Sequence, residues 1–391
     1  MRNKSVAVLD IRSSEICAVI AEKGVNNTFI IKSKYTRSYE GFAEGELLDQ
    51  EDFVKAVRAV VSGVISSIET PVKQIYVGVP CEFADVVQTD KVISFQSSQK
   101  ISARHVESVT EASFPEDREG WTVVKFGALY YVLSDLRRLI DPIGMVSDSL
   151  RARMSFLFCR NSFMETVTRA LKPFSSIRDI EWLPQNYTQG LYLFAPEKRD
   201  SYTILFDFGY ISSTFNVICG DGVAFSEAFS VGIGHVAVLL MEALEIPYNV
   251  AVTLIKQVNL NAKDRRSTFE ECNVDGKQYS FSATELRDLI REGLDGVCEM
   301  IETCIQSFTP KDLTGASIYI TGEGVGVLRG TIEHFSSRLV SPMEVVSPKL
   351  PYYDKPQFSS LFSLLNAALD GCRAINFLRC RRMNLCLTIQ L

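Results

Sequence analysis

The chain has 391 residues, 46% of them apolar and 23% charged, with a formal net charge of −6. That length suits two or more domains with sizeable cores, and the acidic balance argues against a general nucleic-acid binder, which needs a basic face. No apolar run reaches transmembrane length and no signal-peptide core opens the chain; ten cysteines without a CxxC pair and three histidines fit a reduced, cytosolic protein better than a zinc site.

In chain order, residues 5–35 read as strands, VAVLDI, EICAVIAEK and TFIIKSKYT, with a hairpin turn at Asn26-Asn27. Apolar residues from Phe53 to Ile68 recur at i, i+3 and i+4 and predict a helix over 50–68, its N-terminus made negative by Asp49 or Glu51-Asp52. QIYVGVP follows as a strand. Residues 84–160 break this alternation; short strands and a helix near 102–113, begun by Ser102, read as an inserted α+β subdomain. Helices are expected over 161–180 and 235–260, the latter ending in the polar stretch Asn259–Glu271. Ser282-Ala283-Thr284-Glu285 resembles a capping box opening a long helix to about Phe308. SIYIT at 317–321 is a strand, followed by Gly322-Glu323-Gly324-Val325-Gly326, a helix over 331–339 and a last helix from Lys355-Pro356.

One pattern recurs. An apolar strand ends in Asp10 and is followed by Ser13-Ser14; a second ends in Asp207 and is followed by Gly209 and Ser212-Ser213. A metal bound with phosphates needs one or two carboxylates, and turn amides and hydroxyls can donate to phosphate oxygens. Either unit alone is commonly just a turn. The pair, spaced for two domains, points to a cleft with both aspartates on its floor. Thr321-Gly322-Glu323-Gly324 adds a turn where glycine lets the backbone approach a base or phosphate closely.

This order of motifs resembles the superfamily that holds actin, heat-shock ATPases and hexokinase. Within it the chain is most similar to FtsA, a family of actin-like bacterial cell-division proteins, over nearly its whole length. The likeness is carried by Tyr39-Glu40-Gly41-Phe42, Gly45-Glu46-Leu47-Leu48-Asp49, Gln74–Val79, Asp141-Pro142-Ile143-Gly144-Met145 with Leu150-Arg151-Ala152, and Lys355-Pro356. The resemblance implies an α/β, actin-like two-lobed ATPase fold with an FtsA-type inserted α+β (SHS2-like) subdomain. Residues 1–83 and 161–200 would form the first lobe, 84–160 the insert, 201–230 and 307–371 the second lobe, 231–306 its outer subdomain, and 372–391 a basic and apolar tail. It implies ATP held by Asp10, Arg12, Ser13, Ser14, Asp207, Gly209, Ser212, Ser213, Lys256, Gly322 and Gly324, with Mg at Asp10 and Asp207. It further implies protofilament assembly, an FtsZ-like tubulin homologue or other divisome proteins as partners, no nucleic acid, and a cytoplasmic location peripheral to the inner membrane.

Departures from the family pattern cluster in the expected nucleotide site. Arg12 stands in place of glycine and Glu15 in place of lysine in the first loop; Tyr210 and Ile211 replace two glycines and Thr214 an aspartate in the second. Glu323 replaces a glycine, and in Val252-Thr253-Leu254-Ile255-Lys256 only Ile and Lys match. Glu15 brings negative charge toward phosphates, a β-branched residue tolerates φ > 0 poorly, and Arg12 is either a phosphate partner or an ion-paired side chain. These losses predict weak or absent hydrolysis, hence an adaptor rather than a working ATPase; a pilus-assembly relative and a superfamily kinase rank behind both. No catalytic residue is assigned, although Glu181 and Gln185 flank Pro184 where a water-positioning group belongs. In the tail, Arg379, Arg381, Arg382 and Leu385 have the composition of an interfacial membrane anchor, while Leu385, Leu387, Ile389 and Leu391 alternate as a strand does.

Overall fold

The structure, a computed structural model, describes residues 5–69, 71–262, 269–308, 313 and 317–370. It opens with β1 (Val6–Ile11), β2 (Glu15–Lys23) and β3 (Phe29–Ser38), then the short ladder of β4 (Phe42–Ala43) and β5 (Glu46–Leu47), helix α1 (Gln50–Ile65) and β6 (Gln74–Val79). Asp49 starts α1 by accepting the amides of Glu51 and Asp52 at 2.8 and 2.9 Å, which satisfies donors that have no partner inside the helix. Next come β7 (Ala84–Lys100), α2 (Ala103–Ala112), β8 (Trp121–Leu133), β9 (Arg138–Leu139) and β10 (Val146–Arg160), a sheet ordered β7-β10-β8-β9.

The helix expected over 161–180 is shorter. α3 spans Asn161–Leu171, because Pro173 cannot continue it. Instead β11 (Asp179–Pro184), α4 (Gln185–Leu193) and α5 (Pro196–Arg199) follow. Then β12 (Thr203–Asp207), β13 (Ser213–Cys219) and β14 (Gly222–Phe229) lead to α6 (Ile233–Ala243) and α7 (Tyr248–Gln257). These two replace the single helix expected over 235–260 and meet at a bend of 116°, with Pro247 capping the second. The stretch Asn259–Glu271 runs into an unforeseen hairpin of β15 (Phe269–Val274) and β16 (Lys277–Ser282). α8 (Ala283–Ser307) starts where expected, but the Ser282 side chain makes no capping bond. β17 (Ile318–Thr321), α9 (Glu323–Val327), α10 (Thr331–Leu339), β18 (Met343–Val345) and α11 (Ser359–Asp370) complete the described chain.

The two five-stranded sheets share one plan. The first is ordered β3-β2-β1-β6-β11 and the second β14-β13-β12-β17-β18. In each, the central Asp-tipped strand pairs antiparallel with the next strand and parallel with a later one. Both central strands are buried on both faces, which explains their unbroken apolar runs. Ala7, Leu9 and Ile11 face α1 and α3, while Val6 and Val8 face α11. Ile204 and Phe206 face the α6–α8 core, and Leu205 packs with Tyr187 of α4 on the other side. α11 therefore packs on the first sheet: Leu361, Phe362, Leu364 and Leu365 fill the face left by Val6 and Val8.

Residues 84–160 also touch the β13–β14 hairpin of the second sheet. The Asp221 amide donates to the Ala128 carbonyl at 2.8 Å, the Ser155 hydroxyl donates to the Val223 carbonyl at 2.6 Å, and Gln88 donates to the Ala224 carbonyl. At Gly127 an added Cβ would overlap the Asp221 carbonyl oxygen. Lys125, with its side chain 1% exposed, pairs with Glu181 of β11 at 2.6 Å. Among the described residues, no single helix is long and apolar enough to cross a membrane.

Two glycines should respond oppositely to alanine. Gly127→Ala is expected to lower stability by about 1–3 kcal/mol through overpacking. Gly296, exposed within α8 with open space around it, should become more stable by about 0.5–1 kcal/mol as alanine. Urea midpoints of the two variants check this; a neutral Gly127→Ala would mean that the insert is not seated on the hairpin.

Candidate functional site

Asp207 ends the central strand of the second sheet, and Asp10 is the last residue but one of the corresponding strand of the first. The chain between β11 and β12 forms α4, whose Gln185 and Gln189 lie four residues apart and so share one face. Gln185 donates to Asp10 Oδ1 at 3.0 Å and to the Ile11 carbonyl at 2.8 Å, and Gln189 donates to Asp207 Oδ2 at 2.7 Å. One helix thus holds both carboxylates. Ser360, at the start of α11, adds a 2.6 Å bond to Asp10 Oδ1. On β17, the Thr321 hydroxyl donates to Ser359 at 2.7 Å. Gly322 follows with φ +100°, where a Cβ would overlap Asp207 Oδ1; only glycine fits that turn.

Arg12 crosses the remaining space. Its Nε lies 3.2 Å from Asp10 Oδ2 and its Nη2 2.5 Å from Glu15. The guanidinium also donates to the Gln357 carbonyl at 3.4 Å. Ser13 joins the two loops directly. Its Oγ accepts the amides of Ile211 at 3.1 Å and Ser212 at 3.3 Å. Those amides lie in the turn after Asp207 and, bonded to Ser13, are not free to donate to an anion.

Burial raises the pKa of Asp10 above the usual carboxylate range, against the pull of Arg12 and of its hydrogen bonds. Burial raises Asp207 too, against Gln189 and Arg12. Glu323 is likewise raised by burial, with Arg12 and Lys256 opposing. For Arg12, burial works against the charge, but Asp10 and Glu15 more than offset it and keep the guanidinium protonated.

Of the residues expected to form the site, Arg12, Ser13, Ser14, Asp207, Gly209, Ser212 and Gly322 line one cleft, and fully buried Asp10 forms its floor. Three expected residues do not join them. Ser213 is buried and turns away, donating to the Val231 carbonyl at 2.6 Å. Gly324 packs under the Phe208 ring, which a Cβ would overlap. Lys256 is exposed on α7, outside the lining. Glu181 is taken by Lys125, so it is no water-positioning group. Gln189, Gln357 and Ser360 line the cleft without having been foreseen. The tail residues Arg379, Arg381, Arg382 and Leu385 lie outside the described residues.

The cavity measures about 70 Å³, against roughly 300–1,000 Å³ for ligand pockets. Its turn amides are taken by Ser13 and its cation by Asp10 and Glu15. The residues present therefore do not fit a magnesium–nucleotide in this closed arrangement.

The doubled sheet plan and the aspartate-floored cleft define an actin-like, two-lobed protein. No family model matches the sequence. The chain is 21% identical to cell division protein FtsA of Bacillus subtilis (strain 168) over 383 residues, covering 95% of this chain and 86% of that protein. Its fold matches the PilM-PilN type IV pilus biogenesis complex with a TM-score of 0.59 at 13% identity, covering 94% of this chain and 99% of that one. It also matches MreB 5 of Spiroplasma citri bound to AMPPNP, with a TM-score of 0.56 at 11% identity over 96% and 99% of the two chains. The chain is FtsA-like, with an actin-superfamily fold.

Because burial raises Asp207, its ionisation opposes folding. The cost is absent below the unfolded pKa of about 3.9 and grows as pH rises through the folded value. Asp207→Asn, which still accepts from Gln189, should be more stable than the parent at pH 7. That advantage should vanish near pH 3 in urea titrations at both pH values; a pH-independent difference would contradict the assignment.

Proposed function

We propose that the chain is an FtsA-like cell-division adaptor with little or no ATP hydrolysis. It links an FtsZ-like tubulin homologue, or later division proteins, to the cytoplasmic face of the inner membrane. Likeness to a cell division protein along nearly the whole chain supports the division role. One observation carries the non-hydrolysing part: Arg12 and Ser13 fill the space between the two loops with bonds from the protein itself. The lobes then serve as a rigid body for contacts, including end-to-end assembly into protofilaments. Residues 84–160 form the inserted, partner-facing subdomain, 231–306 the outer part of the second lobe, and α11 returns to the first lobe. The basic and apolar tail that holds Arg379, Arg381, Arg382 and Leu385 supplies the membrane contact.

A pilus-assembly role is the second reading, favoured by the fold likeness to the PilM-PilN complex. The insert signature Asp141-Pro142-Ile143-Gly144-Met145 weighs against it. That segment forms a fixed turn: Asp141 accepts the Ile143 amide at 2.9 Å, and Ile101 bonds Gly144 and Met145.

With magnesium and ATP, phosphate release should stay at background while the protein co-sediments with polymers of a tubulin-like division GTPase. Turnover near the typical enzyme value of about 10 per second would revive the working ATPase, and capture of a PilN-type partner in place of the GTPase would favour the pilus role. Anionic liposomes should retain the intact chain and release a version ending at Arg373; equal retention would remove the tail from the membrane contact.

A further inference from the structure

We propose that the protein carries a built-in latch that closes its two lobes without any nucleotide, Arg12 serving as the resident cation and the Ser13 hydroxyl as the resident acceptor for the second loop's amides. The inference rests on the adaptor reading and adds to it a mechanism for holding one shape.

Two sets of cross-lobe bonds make the latch. In the first, Ser13, carried by the loop after β1, accepts the Ile211 and Ser212 amides from the loop after β12. Ser13 is 6% exposed, so water does not compete freely for those bonds. Arg12 keeps this loop in place, since Asp10 and Glu15 grip its guanidinium on two sides and Tyr39 donates to its carbonyl at 2.7 Å. The second set lies on the far side of Cys81, around a separate polar cavity. There Ser230, just past β14, accepts the Glu44 amide at 2.6 Å and donates to Glu82 at 3.1 Å. Glu82 also accepts the Gly45 amide at 2.8 Å. The lobes are thus tied at two separate points. Between those points, α4 holds both aspartates.

A bound nucleotide ordinarily closes such a cleft by offering oxygens and a metal to both loops at once. Here the Ile211 and Ser212 amides already have an acceptor in Ser13, and the Arg12 guanidinium already has ion-pair partners in Asp10 and Glu15. Adding ligand leaves nothing for closure to gain, because a ligand shifts an equilibrium only by its differential affinity for the two states. Arg12 pairs with Asp10 and Glu15, and Asp207 and Glu323 add negative charge to the same cleft, so an incoming polyphosphate would have to displace the two carboxylates that already pair with it.

Amide hydrogen exchange of the full-length protein tests the latch. The segment containing Ile211 and Ser212 should be protected with no nucleotide present, and magnesium–ATP should leave its rate unchanged. Ser13→Ala should speed exchange there by about fivefold per lost bond, Ser230→Ala should speed it at Glu44, and Ser13→Thr should restore protection. Loop-like exchange in the nucleotide-free parent, or protection that appears only with magnesium–ATP, would overturn the proposal. Unchanged exchange in Ser13→Ala, with the variant folded by circular dichroism, would overturn it as well. Failure to co-sediment with a tubulin-like GTPase would instead sink the adaptor reading and leave these rates untouched.

Discussion

Everything in this structure is arranged around two carboxylates, Asp10 withdrawn from water altogether and Asp207 partly so at the cleft wall. Asp10 is fully buried at the end of one sheet and Asp207 closes the matching strand of the other. A buried carboxylate without partners is costly, and the fold answers with donors from helices rather than from solvent. Gln185, Gln189 and Ser360 meet them, and Arg12 supplies the charge on Asp10's other oxygen. Because the two glutamines sit on one helix, the aspartates are held at a fixed separation, and with them the sheets whose strands they end. The position of α4 follows from this need as much as from its apolar contacts.

Glycine-rich phosphate loops work because they leave backbone amides unoccupied and allow close approach. In this chain bulkier side chains take that room. Tyr210 donates to or accepts from Tyr248 at 2.7 Å, Ile211 turns its amide to Ser13, and Arg12 closes the first loop onto Glu15. Each substitution would be damaging to a nucleotide site taken alone. Together they complement one another, as a coherent replacement should: an arginine where negative charge remains, and a hydroxyl where amides need an acceptor.

How much was legible beforehand depended on where burial leaves a mark in the sequence. The central strands were plain, since burial on both faces demands the unbroken runs VAVLDI and TILF ahead of each aspartate. α1 was plain from its stripe. α4 was missed for a physical reason: QNYTQGLYL buries Asn186, Thr188 and Gln189 as well as Tyr187, so no apolar period betrays it. A polar helix between two sheets looks like a loop. Gln185 and Gln189 at i, i+4 immediately after Pro184 were the available signal, readable only once the aspartates are placed on either side. Ser360 escaped because serines at a helix start look like caps. The α3 terminus and the α6–α7 break are legible in principle from Pro173 and Pro247, although the apolar residues on either side continue a helical spacing. Lys256 and Gly324 match the nucleotide-binding pattern only by position, since the first is exposed on α7 and the second packs beneath Phe208.

The most direct measurement is a crystal structure grown with saturating magnesium and a non-hydrolysable ATP analogue. The cleft should stay empty, with Ser13 Oγ still within hydrogen-bond reach of the Ile211 and Ser212 amides and Arg12 still paired with Asp10. A nucleotide seated between Asp10 and Asp207, with Arg12 swung aside, would contradict it.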